Sequence, residues 1–281
     1  MIVINVSGGL GNQMFQYVFG QYISKKYNSK VEYNIDFYDS QDQDGILDVR
    51  NYELNKFNID VPISKSLFLK TYNRKTKLKK LTFLMSTLIL NLSDFYFIVF
   101  ESRYKLLSFF SLLSINKYFV GSWQDKCFLE AFDKELPEWF SLKPQYSKRK
   151  KENLMDNKNS VSIGVRRGDY VKLNATCDID YYIRAIRFIS QKVESPFFLI
   201  FSDDIAWCKE NLDLKDYSHK FIDSNVYIPF ENMELMSECK HNIISNSTYD
   251  WWGAYLNRNK NQIIISPKGW RLSKHIDCVE L

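Results

Sequence analysis

The 281-residue sequence is poor in glycine, proline and histidine, with 10, 6 and 3 residues. So little glycine and proline excludes a collagen-like or low-complexity chain. The five cysteines are scattered and never form a CxxC pair, which predicts neither a disulfide framework nor a zinc site. The histidines show no metal-ligand spacing either. We therefore expect a folded, cytoplasmic protein in a reducing compartment that requires no metal ion.

A large excess of charge of one sign is also lacking, since the net charge is +5. A dedicated nucleic-acid-binding domain is usually more basic, so nucleic acid is not an expected partner. A mild positive charge suits anionic small ligands, and leaves open a peripheral contact with the inner membrane or a lipid-linked glycan. Residues 1–6 are mostly β-branched and apolar, without a basic segment, which predicts a strand rather than a signal peptide.

One long apolar run is present, at residues 81–100, after seven basic residues and no acid in 65–80. Twenty residues suffice to cross a bilayer as a helix. The run is interrupted by polar residues, however, and Asp94 would be costly near a membrane centre. We expect a helical insert at about 65–115 rather than a membrane span.

The charged, pattern-free residues 143–152 predict a linker, and hence domains at 1–150 and 151–281. Strand patterns after this linker alternate with helical ones. The predicted strands are 161–165, 197–201, 220–222, 242–245 and 262–266, and the predicted helices are 181–193, 205–212, 230–239 and 249–257. Strands separated by helices of this length indicate parallel βαβ units. The first half begins in the same way, with a strand at 1–6, a helix at 14–27 and a strand at 31–35.

A glycine-rich turn joins the first predicted strand to the first helix. Its candidate ligand contacts are Gly9, Gly11, Asn12 and Gln13. Glycines let a ligand approach the backbone, and a helix N-terminus attracts anions. Met14 replaces the third glycine of the dinucleotide fingerprint, so NAD is not expected. A tight turn without a ligand is the alternative.

Arg166, Arg167 and Asp169 directly follow the predicted strand 161–165. Arginine makes bidentate contacts with phosphate, so two arginines at a strand end indicate an anionic ligand. The alternative is a structural ion pair between Arg167 and Asp169, with Arg166 in solvent.

Polar residues follow two more predicted strands. Asp203 and Asp204 come after 197–201; one is expected to cap the next helix and the other to accept hydrogen bonds from a base or ribose. Ser245, Asn246 and Ser247 precede a helix, where hydroxyl and free N–H groups suit a diphosphate, or cap the helix.

These motifs together predict a cleft between two α/β domains that binds a nucleotide diphosphate, because ligands bind at the carboxyl ends of parallel strands. No Lys-Ser/Thr pair follows the glycines, which excludes a P-loop. The acidic pair Asp178 and Asp180 resembles a metal-binding DxD, but its position at a helix start favours capping.

Four motifs, in their order along the chain, resemble those of the bacterial α-1,2-fucosyltransferases of glycosyltransferase family 11. They are GGLGNQMFQY at 8–17, RRGDY at 166–170, FSDD at 201–204, and ISNS at 244–247 with WWGA at 251–254. The segment YFVGSWQDK at 118–126 is similar to that family too. The resemblance implies a GT-B-like fold with two Rossmann-like domains, an acceptor-side domain at 1–150 and a donor-binding domain at 151–281. It also implies inversion, GDP-fucose as donor, and no required metal or other cofactor.

The resemblance assigns roles by position. Arg166 would hold the donor phosphates, completed by Arg167 and Asp169, and Asn12 would lie near the transferred sugar. Asp203 or Asp204 would read guanine or ribose, and Ser245 and Ser247 would donate to the diphosphate. Arg166, Asp169 and Asn12 are thus the catalytic candidates. The family usually has histidine two residues before the first arginine, where this sequence has Gly164; we interpret that histidine as dispensable.

The function implied is fucosyl transfer to the 2-hydroxyl of a terminal galactoside, in O-antigen or oligosaccharide synthesis. Asp169 and Asp36 are candidate bases. Two alternatives stay open: a GDP-sugar transferase of another linkage, and an inactive nucleotide- or glycan-binding homologue, which the Gly164 substitution would favour.

Overall fold

The computed structural model describes residues 1–39, 49–65, 96–104, 116–147, 159–222 and 228–281. The chain divides into two compact units: the first holds most residues up to Glu135, and the second holds Leu136–Leu281 together with Lys56–Asn58. The predicted boundary at residue 150 and most of the predicted insert, residues 66–95 and 105–115, lie outside the described residues. Within the described ranges, no helix combines the length and apolar character that a bilayer crossing requires.

The first unit contains a four-stranded parallel sheet with the strand order β2-β1-β4-β3. Its strands are β1 (Ile2–Asn5), β2 (Val31–Asn34), β3 (Tyr96–Phe100) and β4 (Asn116–Val120), and its helices are α1 (Leu10–Tyr27) and α2 (Lys126–Glu130). The predicted strand–turn–helix–strand at the start of the chain is confirmed. Helix α1 begins four residues earlier than predicted, because the turn residues Leu10–Gln13 are already helical.

The end of the apolar run is not helical. Tyr96–Phe100 is a strand that pairs in parallel with Asn116–Val120, so the helical prediction is wrong for these five residues. Their sequence, YFIVF, is aromatic and β-branched, which favours a strand. A short apolar run cannot be assigned by hydrophobicity alone, since a buried strand and a buried helix look alike.

The second unit contains a six-stranded parallel sheet with the order β10-β9-β8-β5-β6-β7. Its strands are β5 (Ser160–Val165), β6 (Phe197–Ser202), β7 (Ser218–Ile222), β8 (His241–Ile243), β9 (Ile264–Ser266) and β10 (Val279–Glu280). Its helices are α3 (Leu136–Trp139), α4 (Gly168–Lys172), α5 (Ile179–Ser190), α6 (Ile205–Asn211), α7 (Pro229–Glu238) and α8 (Thr248–Tyr255). The α/β class with parallel sheets is confirmed. The edge strand β10 and the short helices α3 and α4 were not predicted.

The core of this unit forms where α5 packs its apolar face on the sheet. Tyr181, Ile186 and Ile189 of this helix are buried together with Ile163 and Ile200 of the central strands. The Tyr181 hydroxyl lies 2.6 Å from the carbonyl oxygen of Ile244 and 3.1 Å from that of Ile265. This buried hydroxyl therefore fixes the carboxyl end of β8 beside β9.

Candidate functional site

Three predicted motifs of the second unit lie at one edge of its sheet. Strands β8, β5 and β6 are neighbours, and all are parallel. Their carboxyl ends therefore meet at the same edge, where parallel sheets bind ligands. Val165 is in register with Ser202, which brings Arg166 next to Asp203. The sheet thus gathers the arginine, aspartate and serine motifs at a single place.

Arg166 lies between two carboxylates at this edge. Its Nη2 is 2.5 Å from Oδ1 of Asp169, and its Nη1 forms an ion pair with Oδ2 of Asp203. The Tyr170 ring also faces the guanidinium, with 5.5 Å between its centroid and Cζ. The Arg166 side chain is only 19% exposed, so these partners fix the plane of its guanidinium and offset the cost of partly burying its charge.

Arg167 is held by different partners. Its Nε donates to Oδ2 of Asp204 at 3.1 Å, and its Cζ lies 4.0 Å from the ring centroid of Trp207. Its backbone N–H donates to Oδ1 of Asp203 at 2.8 Å. The alternative ion pair between Arg167 and Asp169 is therefore wrong, because α4 begins at Gly168 and directs Asp169 to Arg166. The predicted helix cap is confirmed as Asp204, which accepts from the backbone N–H of Trp207.

The serine motif joins β8 to α8. Ser247 is the N-cap of α8 and accepts from the backbone N–H of Tyr249 at 3.2 Å, as the capping alternative predicts. Asn246 donates to the Ala175 carbonyl at 2.7 Å. Ser245 is fully buried, and its hydroxyl and backbone N–H both point to one carboxylate oxygen, Oδ2 of Asp250. Contacts of these residues with a diphosphate stay a prediction.

Asp250 is the acidic residue that sequence reasoning missed. It accepts from the Ser245 hydroxyl at 2.5 Å and from the Ser245 N–H at 3.1 Å. Only 5% of it is exposed, and burial raises the pKa of its carboxyl to about 6, although the Ser245 hydrogen bonds and the charge of Arg166 lower it. The sequence offered only a weak indication, an acid in the first turn of α8, where acids favour the helix dipole.

Gly164 lies against the Asp250 carboxylate and, without a side chain, leaves room for it. A Cβ built on Gly164 would overlap the carboxyl group of Asp250. A histidine at position 164 is therefore incompatible with Asp250 in its present conformation. The missing side chain at Gly164 therefore leaves the space that the buried carboxylate of Asp250 occupies.

The glycine-rich turn lies in the first unit, at the start of α1. Gly8 has φ +79°, which favours glycine, and a Cβ there would lie 2.9 Å from Nδ2 of Asn12. Gly9 is the N-cap of α1 and offers no side-chain cap. Asn12 accepts from the amide of Gln124 at 2.8 Å. Gln124 falls in segment 118–126, so the resemblance contained an indication of it.

Gln124 follows a residue with unusual backbone geometry. Trp123 has φ +55°, which is uncommon for a bulky residue, and its ring stacks on Phe19 with 3.7 Å between centroids. The fully packed ring holds this conformation, which orients the next side chain toward Asn12. Strained residues of this kind often lie at functional sites.

Gln13 is part of the framework of the turn. It is fully buried, and its amide donates to the carbonyls of Gly8 and Asn51, while its oxygen accepts from the N–H of Glu53. Both amide protons are thus engaged within the first unit. The predicted ligand contact of Gln13 stays a prediction, as do those of Gly9, Gly11 and Asn12.

The described residues contain no group of three or more His, Cys, Asp or Glu placed to hold a metal ion. Asp178, which resembles part of a DxD motif, is the N-cap of α5 and accepts from the N–H of Tyr181 at 2.7 Å. The predicted capping role is confirmed for Asp178. At the sheet edge, Asp169, Asp203 and Asp204 pair with arginines, and Asp250 accepts from Ser245.

Two curated relatives match nearly the whole chain. An α-1,2-colitosyltransferase from Escherichia coli is 30% identical over 96% of this chain and 92% of its own length. The O-antigen biosynthesis glycosyltransferase WbnK, also from Escherichia coli, is 30% identical over 94% of this chain and 93% of its own. Sequence similarity therefore extends across both units.

A solved structure has the same fold. The α-1,6-fucosyltransferase NodZ, soaked with GDP-fucose, matches with a TM-score of 0.53 and 12% identity, over 91% of this chain and 92% of that one. This likeness confirms the predicted GT-B-like fold class. The family model described as "Glycosyl transferase family 11" matches residues 1–276, so the chain belongs to glycosyltransferase family 11.

Proposed function

We propose that this chain transfers an L-fucosyl group from GDP-fucose to the 2-hydroxyl of a terminal galactoside, with inversion and without a metal ion. The observation that carries the proposal is Arg166, a partly exposed arginine at the carboxyl end of β5 whose guanidinium two carboxylates hold in place. Membership of family 11 and the likeness to NodZ soaked with GDP-fucose support the donor. The α-1,2-colitosyltransferase relative supports the linkage.

The reaction separates charge at the diphosphate. The bond between sugar C1 and the β-phosphate oxygen breaks, GDP leaves with the electron pair, and the acceptor oxygen bonds to C1 while its proton passes to a base. Arg166 would offset the charge that develops on the leaving diphosphate, which is electrostatic catalysis by a preorganised donor. Asp169 and Asp36 stay the candidate bases. In the structure Asp169 holds Arg166, and Asp36 accepts from Asn34 at 2.9 Å.

The diphosphate must compete for Arg166 with its present partners. Asp169 is 8% exposed and Asp203 is 25% exposed. We infer that the ligand replaces Asp203, the more accessible carboxylate, while Asp169 keeps the guanidinium in place. The released Asp203 could then accept hydrogen bonds from the base or ribose, as its sequence position predicts.

Calorimetry in EDTA tests the donor class and metal independence together. We expect GDP and GDP-fucose to bind, and UDP to bind at least tenfold more weakly. A requirement for added divalent cation, or equal binding of UDP, would contradict the proposal. NMR of the product formed from GDP-fucose and lactose identifies the linkage, and a linkage other than α-1,2 would replace the proposed reaction by that of a related transferase.

A colitosyl donor is the second candidate, favoured by the relative of that activity at 30% identity. Colitosyl and fucosyl groups differ by one hydroxyl. A site built to hydrogen-bond that hydroxyl rejects the deoxy sugar by roughly 10⁴. Comparison of kcat/KM for the two donors with one acceptor therefore decides between them, and absence of turnover with either would favour a binding protein.

A further inference from the structure

Asp250 occupies a central position at the sheet edge, although no predicted motif includes it. Its carboxylate covers Gly164 of β5 and accepts both donors of Ser245 after β8. Asp250 therefore links the strand end that carries Arg166 to the strand end that carries the serine motif.

The charged and titratable groups around Asp250 come from several elements. Arg166, after β5, stabilises its anionic form, and Asp203, after β6, opposes it. Burial raises the pKa of Cys177, which precedes α5, and of Tyr181 and Tyr182 within α5, and the charge of Asp250 raises each of them further. The Asp250 carboxyl group is thus buried, and the charges of Arg166 and Asp203 act on it from the sheet edge where a ligand would bind.

Ser245 has one hydroxyl proton, and that proton is directed to Oδ2 of Asp250. The same proton cannot be given to a phosphate oxygen while Asp250 is a carboxylate that requires it. If Asp250 is protonated, its own O–H can donate to Oγ of Ser245. The Ser245 proton is then available to another acceptor, and every buried polar atom keeps a partner.

We propose that Asp250 is a positioning residue that takes up a proton from solvent when a diphosphate binds at this edge and thereby turns the Ser245 hydroxyl toward the ligand. This inference rests on the proposed function, since it requires the diphosphate to lie beside Arg166 and Ser245. The two negative charges of the ligand oppose the carboxylate form of Asp250 and favour its neutral form. Gly164 is required for this role of Asp250, because a side chain at position 164 would displace the Asp250 carboxyl group.

Calorimetry of GDP-fucose binding at pH 7, in buffers of different ionisation enthalpy, measures the proton uptake. GDP-fucose is the probe because its diphosphate has no group that titrates near neutrality. A rise of one unit from a pKa of about 6 corresponds to uptake of about 0.4 proton. We expect no such uptake in Asp250→Asn, and wild-type uptake in the control Asp180→Asn, which removes an exposed carboxylate from the first turn of α5.

The pH dependence of affinity gives a second readout. Wild-type affinity for GDP-fucose should fall about sevenfold between pH 5.5 and pH 8, whereas that of Asp250→Asn should stay nearly constant. Binding without proton uptake, or an unchanged pH profile in Asp250→Asn, would overturn this inference and leave the proposed function intact. Failure of the wild type to bind GDP-fucose at all would overturn both.

A double-mutant cycle tests the role of Gly164. We expect Gly164→Ala to weaken GDP-fucose binding about tenfold or more, and Gly164→Ala combined with Asp250→Ala to bind as well as Asp250→Ala alone, since removal of the whole carboxyl group leaves room for the Cβ. Additive losses in the double variant would overturn the pairing. If Gly164→Ala does not fold, recovery of folding in the double variant supports the pairing, and failure to recover overturns it.

Discussion

The two arginines at the sheet edge are each paired with carboxylates rather than exposed together as an open cationic pocket. Arg166 has Asp169 and Asp203, and Arg167 has Asp204. Partly burying these charges costs free energy, which their mutual pairing helps to offset. Such a preorganised guanidinium can act on a developing charge without reorganising at the moment of reaction.

Replacing Arg166 by alanine should lower kcat by roughly 10²–10³, the usual effect of removing one such donor. Arg166→Lys keeps the charge but loses the planar fork, so an intermediate loss is expected. The control is Arg187→Ala, which removes an exposed arginine of α5. Steady-state kinetics on variants with a wild-type circular dichroism spectrum make the comparison, and near-normal turnover of Arg166→Ala would remove this residue from the mechanism.

Asp250 predicts an unusual pH dependence of stability. Burial raises the pKa of its carboxyl to about 6, so the folded state holds this proton more tightly than the unfolded state. The folded protein therefore gains stability as pH falls from about 6 to about 4, by up to about 3 kcal/mol from this group. Unfolding in urea measures this effect. As pH falls from 7 to 4, the free energy of unfolding of the wild type should rise relative to that of Asp250→Asn by about 2–3 kcal/mol. A constant difference across this range would contradict the assignment.

At the scale of elements, the start of α1 depends on a turn that only glycine suits well. The positive φ of Gly8 and its closeness to Asn12 act together, and Gly269 offers a comparison because it has φ +70° with open space around it. Gly269→Ala should therefore lower the free energy of unfolding by about 1–2 kcal/mol, the cost of the backbone conformation, and leave activity unchanged.

Gly8→Ala should cost more than Gly269→Ala and should also reduce kcat/KM, because the new Cβ must displace the Nδ2 of Asn12. Urea unfolding and kinetics of the two variants separate the backbone cost from the contact. Equal losses of stability with unchanged activity in both would show that Asn12 does not depend on the turn.

The sequence predicted elements best where local pattern and tertiary setting agree. The parallel strands of the second unit are short β-branched and aromatic runs between amphipathic helices, and Arg166 could be placed at a strand end from that alternation alone. The strand Tyr96–Phe100 could not be predicted in this way, because an apolar run has the same pattern in a buried helix and in a buried strand.

Asp250 shows a second limit of sequence reasoning. Its role depends on the missing Cβ of Gly164, which is 86 residues away in sequence. A contact of that kind forms only in the folded protein, where the first turn of α8 meets Gly164 of β5, and no local pattern expresses it. The same holds for Gln124, whose amide reaches Asn12 from a segment 112 residues distant.

At the scale of the whole molecule, the sequence predicts that the glycine turn of the first unit and the arginine and serine motifs of the second bind the same diphosphate. Hydrogen exchange with saturating GDP in EDTA tests this directly, since ligand contact slows local opening. We expect protection at residues 166–172, 202–207 and 245–250, and also at 8–13.

Two comparisons make that experiment decisive. Arg166→Ala should lose the protection at all of these segments together, because it removes the central contact of a shared ligand. The interior of α5, which lies in the core, should exchange at the same rate with and without GDP. Protection of the three second-unit segments without any change at 8–13 would separate the glycine turn from the diphosphate, and would leave Asn12 and its Gln124 partner to act on the acceptor alone.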